Sequence, residues 1–102
     1  MTLCIVSDKI SSMEFEWDSE KSKANKRKHG IDFEKAQAIW LSSKIVEAQA
    51  LTVEGEIRKA TIGKIGNKLW AAIWAPRDGK VRFISVHRAE GTQYEKRYEE
   101  KA

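Results

Sequence analysis

The spacing of apolar and polar positions changes period twice along the chain. Residues 13–17, MEFEW, set Met13, Phe15 and Trp17 alternately against Glu14 and Glu16, the two-residue period of a strand with one buried face. Asp18 ends that run and suits a helix N-cap, so a first helix is predicted over residues 19–29, with Gly30 in the left-handed position at its C-terminus. Its only apolar residue is Ala24, so propensity and partner contacts rather than an apolar stripe must stabilise it. A second helix begins under Asp32, with Ile31 placed to staple onto Ala36. There Phe33, Ala36, Ile39 and Trp40 recur at helical spacing and give a core side.

From Lys44 the period returns to two. Residues 44–52, 57–65, 68–75 and 81–88 read as strands, divided by Glu54-Gly55, Gly66-Asn67 and Pro76-Arg77-Asp78-Gly79. Turns this short join neighbours antiparallel. Thr92-Gln93-Tyr94-Glu95 then forms a capping box for a last helix through Glu100, with Tyr94 and Tyr98 one turn apart. The order β-α-α-β-β-β-β-α describes an α+β fold with helices packed on a twisted antiparallel sheet. No linker rich in Pro, Gly or Ser divides the 102 residues. Residues 1–12 are expected to be an extension that need not be ordered, and residues 13–102 a single domain.

Composition narrows the functional classes. With 41% apolar residues the chain can bury a core, which separates it from disordered sequences of similar charge content. A lone Cys4 excludes an internal disulfide framework and a four-ligand structural zinc site, and fits a reducing, cytoplasmic setting. Residues 1–12 lack the basic start and long apolar run of a secretion signal, and no stretch approaches the roughly 20 apolar residues of a membrane span.

Charge adds a partner. The net charge is +4, and cations gather at residues 21–28, where NKRKHG closes the first helix. A polyanion is the partner such a patch favours, a solvated helix surface being the plainer alternative. On a helix, Lys21, Asn25 and Lys28 share one face with His29 at its edge, while Lys23, Lys26 and Arg27 lie on the other side. For His29 alone, an imidazolium favoured by the helix dipole stands beside a catalytic reading. In the strands Arg58 shares a face with Ala60, Ile62 and Lys64. Strict alternation puts Arg82, Ile84, Val86 and Arg88 on one face and Val81, Phe83, Ser85 and His87 on the other. Trp40, Trp70 and Trp74 are assigned to the core. The sequence offers no paired-carboxylate cluster, cysteine nucleophile with a base, glycine-rich phosphate loop or His/Asp metal spacing, so no cofactor is expected. RNA supplies its own nucleophile in the 2′-hydroxyl, and its cleavage needs only a base, an acid and cations around the phosphate.

These residues also form a known pattern. Trp17-Asp18, Lys21, Asn25, Lys28-His29-Gly30 and Phe33 followed by Ala36 resemble the opening of the BrnT toxins. Glu56-Ile57-Arg58 with Gly63, the Ile84-Ser85 pair, Ala89, and Glu95 with Tyr98 are similar to the rest of that pattern. The resemblance spans about residues 13–98, and Met13 resembles the family's usual start. It implies a RelE-like fold and a type II toxin: a metal-independent endoribonuclease that blocks translation and growth. It also implies a BrnA-like antitoxin that neutralises the toxin and carries the DNA-binding domain, so that operator DNA is reached only through the antitoxin. Carried over by position, Lys28, His29 and Arg58 belong at the active cleft, and Tyr98 either contacts substrate or anchors the last helix. Lys21, Asn25, Arg82 and Arg88 are the expected nucleic-acid contacts. One departure stands out: where the family reads I-S-A-R, this chain has Ile84-Ser85-Val86-His87, with Arg88 one place later. His87 then either acts as acid or base, or marks an inactive toxin. The alternative function is a non-catalytic basic nucleic-acid-binding module, or an inactive toxin retained as antitoxin partner or corepressor.

Overall fold

A computed structural model describes residues 2–5 in backbone outline and residues 14–50, 52 and 54–100 in full. The elements are β1 (Thr2–Ile5), β2 (Glu14–Trp17), α1 (Ser19–His29), α2 (Phe33–Ala36) running on into a 3₁₀ turn (Gln37–Leu41), β3 (Val46–Gln49), β4 (Lys59–Ile65), β5 (Lys68–Arg77), β6 (Lys80–Arg88) and α3 (Gln93–Glu100). The strands form one sheet in the order β1-β2-β6-β5-β4-β3. Met13, expected in the first strand, lies outside the described residues. Thr2–Ile5, within the expected extension, pairs antiparallel with β2.

The sheet is mixed, which corrects the expectation of an antiparallel one. β3 to β6 are an antiparallel meander, but β2 joins β6 in parallel through Phe15↔Val81 and Glu16↔Arg82. Short turns dictate direction only between the strands they join, and β2 reaches β6 after the whole intervening chain. What places it there is packing. Phe83 of β6 sits among four aromatic rings, with centroids of Phe33 at 5.2 Å, Phe15 and Trp40 at 5.7 Å, and Trp17 at 5.9 Å. Trp70 and Trp74 complete this core on the face covered by α1 and α2. A second, smaller core of Val46, Ala48, Ala60, Ile62, Leu69, Ala71 and Ala89 lies on the opposite face, against Tyr94 and Tyr98 of α3.

Two local features alter the expected faces. The β5–β6 register shifts between Ile73↔Ser85 and Trp74↔Phe83, which leaves Ile84 as an extra residue in β6. A bulge of this kind reverses alternation beyond it. Val81, Phe83, Val86 and Arg88 therefore share the α1 face, whereas Arg82, Ser85 and His87 share the α3 face. The predicted partition of this strand is corrected accordingly. At the β5–β6 hairpin the pair Arg77↔Lys80 encloses a two-residue turn, Asp78 (φ 53°) and Gly79 (φ 76°). Positive φ at both central residues is the Asp-Gly hairpin geometry that matches strand twist, so Pro76 and Arg77 extend β5 instead of forming the turn.

Candidate nucleic-acid cleft

The site begins with how α1 is held. Asp18 accepts hydrogen bonds from the backbone N–H groups of Glu20 (2.8 Å) and Lys21 (3.3 Å), which lower its pKa, and Gly30 at φ 85° donates its N–H to the Lys26 carbonyl. The helix thus has the predicted bounds. Its docking surface was not foreseen, because it is polar: Ser22 and Asn25 are the buried residues. Ser22 Oγ accepts from Phe33 N–H at 2.9 Å. Asn25 donates through Nδ2 to the carbonyls of Ile31 (2.8 Å) and Val86 (2.9 Å) and accepts from Val86 N–H through Oδ1 (3.1 Å). Among the described residues β2 pairs with β6 at Val81 and Arg82 alone, so no strand covers the edge of β6 at Val86, and the Asn25 amide takes the place of a neighbouring strand.

Along that junction lies a cleft of about 200 Å³ lined by Lys21, Ala24, Asn25, Lys28, His29, Ile84 and Ser85. The bulge at Ile84 sits in its wall. His29, half-buried at the end of α1, holds its ring 6.0 Å from that of His87, and the His87 ring is in turn 5.8 Å from Tyr94 of α3. Burial, the nearby His87 and the Lys28 ammonium each disfavour the imidazolium of His29 and hold its pKa below 6.5. His87 Nδ1 lies 3.0 Å from the Arg88 carbonyl. A carbonyl only accepts, so Nδ1 carries the proton of that bond and Nε2 is the nitrogen left for substrate.

The remaining predicted residues lie apart from this line. Tyr98 anchors α3, its hydroxyl donating to the Lys44 carbonyl (3.3 Å) while the Lys44 ammonium donates to the Tyr98 carbonyl (2.6 Å) and lies 4.2 Å from its ring centre. Arg58 pairs with Glu56 at 3.3 Å and stands just before β4, four residues from Ile62. Ile62 is in the cross-strand row of Ala71 and His87. At about 3.3 Å per residue and about 4.8 Å per strand, Arg58 is on the order of 16 Å from His87. Arg82 pairs with Glu16 at 3.3 Å, toward the same end of the sheet. Arg88 lies over Trp70 and donates through Nε to Glu90 (2.8 Å), whose other oxygen accepts from Leu69 N–H. The Arg88 hydrogen bond holds the Glu90 carboxyl down at about 2 and raises the Arg88 pKa. Asn25 is at the cleft, but all of its amide bonding is with backbone. The residue that sequence reading missed is Tyr94, whose signals were its place in the capping box and its one-turn spacing from Tyr98. Among the described residues no three His, Cys, Asp or Glu side chains converge as a metal-ligand set.

The model of the family described as "Ribonuclease toxin, BrnT, of type II toxin-antitoxin system" matches residues 17–93. The chain belongs to this family. No individual curated protein matches it. The BrnT match takes in Lys28, His29, Arg58 and His87 and stops one residue short of Tyr94. Membership implies an antitoxin partner. Among the described residues no helix is long and apolar enough to cross a membrane.

Proposed function

We propose that the protein is the toxin of a type II pair and cuts RNA by metal-independent acid–base chemistry at the His29–His87–Tyr94 line, blocking translation and growth until a BrnA-like antitoxin covers the cleft. The observation that carries this reading is the 6.0 Å separation of the two imidazoles, with Lys28 beside His29 in the cleft. Ring centres at that distance leave room for one phosphoryl group to be reached from both sides, each contact being about 2.6–3.2 Å.

His29, kept neutral near pH 7 by its lowered pKa, takes the proton of the 2′-hydroxyl. The O2′–P bond forms as the P–O5′ bond breaks, and His87, entering the step as the imidazolium with its Nδ1–H on the Arg88 carbonyl, gives its Nε2 proton to the departing O5′ and is left neutral. The products are a 2′,3′-cyclic phosphate and a 5′-hydroxyl. Lys28 and the Tyr94 phenol face the charge that grows on the phosphoryl oxygens, and Lys21 holds a neighbouring phosphate. Arg58 and Arg82 contact RNA farther along the sheet face, and Arg88 remains with Glu90. On this reading His87 substitutes for the family's usual arginine as a proton donor.

Inducible expression in a bacterium tests the proposal through growth and RNA integrity, comparing wild type with Lys28→Ala and His87→Ala and checking both variants for folding by circular dichroism. Growth arrest with RNA decay for wild type alone supports it. A harmless wild type that leaves RNA intact overturns it in favour of a non-catalytic partner of the antitoxin.

A further inference from the structure

Among the described residues α1 docks along a narrow line, Ser22, Asn25 and the half-buried His29, and both of its flanks are exposed. At about 100° per residue, Lys21 and Lys28 fall on the β6 side, whereas Lys23, Lys26 and Arg27 fall on the opposite side. That second flank borders a separate hollow of about 470 Å³, lined by Ser19, Ser22, Lys23, Lys26, Arg27 and Asp32. None of its three cations is a family-motif position, and the cleavage chemistry uses none of them. Among the described residues Lys23 has one carboxylate contact, an exposed one with Glu20 at 3.6 Å, and neither Lys26 nor Arg27 has any. Asp32, the one carboxylate among the described lining residues, caps α2 by accepting Lys35 N–H at 2.8 Å.

We infer that Lys23, Lys26 and Arg27 form an accessory subsite for the phosphodiester backbone of RNA outside the scissile position, so that a substrate strand is held on both flanks of α1. The inference rests on the ribonuclease reading. A helix is about 10 Å across, a width that a few nucleotides span, so a strand leaving the cleft past Lys28 can reach the second flank without bending the protein. Its described lining sets three cationic side chains beside a carboxylate that is already engaged as a cap. That arrangement suits a solvated polyanion, which stays outside while its phosphates meet the ammonium and guanidinium groups. It gives grip without sequence readout, because phosphate contacts position a strand and carry no base information.

The test uses full-length protein with Lys23→Gln, Lys26→Gln and Arg27→Gln combined, and Lys26→Glu alone as an independent variant, folding being verified by thermal melts. Binding is read on a 2′-O-methyl oligonucleotide of some twenty residues, which cannot be cut, and cleavage is read on that length of RNA and on a trinucleotide. With about 0.7 counterion released per phosphate on single strands, loss of three contacts should flatten the log–log salt dependence by about 2. Wild type should then lose about 20-fold more affinity than the triple variant between 50 and 200 mM salt. KM for the long RNA should rise while trinucleotide cleavage stays at the wild-type rate. If the triple variant binds the long strand with unchanged affinity and salt slope while wild type cleaves, the subsite is overturned and the ribonuclease reading stands. If wild type neither cuts nor binds, both fall. Unchanged RNA binding with loss of antitoxin binding would overturn the inference and assign the flank to the protein partner.

Discussion

Asn25→Ala should be among the most damaging single substitutions in this chain, although Asn25 lies on a helix whose outer surface is almost wholly polar. Its amide makes three hydrogen bonds, two to carbonyls and one from Val86 N–H, and the residue is only 7% exposed. Each such bond contributes about 1 kcal/mol, and truncation leaves three backbone groups without partners, so the loss should be about 3 kcal/mol. Domains of this size have about 5–15 kcal/mol in total, and each kcal/mol moves Tm by about 4–8 °C. The melting temperature should therefore fall by about 12–24 °C in thermal melts, and urea titrations should read the loss of about 3 kcal/mol directly. Asn25→Asp gives a sharper check. The carboxylate still accepts from Val86 N–H, but its second oxygen faces two carbonyls, so the folded state raises its pKa. A raised pKa means stability that is full below the unfolded value, about 3.9, and is lost as pH rises through the folded value. The Asp variant should thus gain stability relative to wild type on acidification. A melting temperature for Asn25→Ala within about 3 °C of wild type would refute the idea that this amide closes the edge of β6.

Other expectations follow from packing and charge. A Cβ at Gly63 would lie 2.9 Å from the Ile39 carbonyl oxygen and 3.1 Å from Ile39 Cγ2, so Gly63→Ala should cost about 1–3 kcal/mol in denaturant titrations by pushing the 3₁₀ turn off β4. NMR titration should place the His29 pKa below 6.5, and His87→Gln should move it upward by removing one of the charges that oppose it. Because folding lowers this pKa, His29 contributes stability that is full above pH 6.5 and is lost as pH falls through the folded value. Glu90, lowered to about 2, contributes stability above pH 4.5 that is lost as pH falls toward 2. Its partly exposed position limits this to under about 1 kcal/mol, to be read as the difference between wild type and Glu90→Gln in acid unfolding.

The elements that local chemistry encodes were legible in the sequence. Asp18, Gly30 and Asp32 bound the helices because caps act within a few residues, and Trp40, Trp70 and Trp74 read as core because burial of large aromatics dominates any competing role. What escaped depends on partners distant in the chain. Nothing near Ile84 marks a bulge, since the extra residue is defined only against β5, and this one shift moved Arg82, Val86, Arg88 and His87 relative to one another. Asn25 belonged to a motif and invited a role in RNA contact, whereas its structural work requires knowing that β2 stops at Arg82. Tyr94 and Tyr98 are equivalent by helical spacing. Only the packing of α3 turns one toward His87 and the other toward Lys44.

The most direct measurement is the end chemistry of RNA cut by the purified protein in excess chelator, read by mass spectrometry for wild type, His29→Ala and His87→Ala. Cleavage that persists in chelator, leaves 2′,3′-cyclic phosphate and 5′-hydroxyl ends, and falls by about 10²- to 10⁴-fold in each folded variant is the predicted result. Cleavage abolished by chelator, ends bearing 5′-phosphate, or histidine variants as active as wild type would contradict a metal-independent site built on His29 and His87.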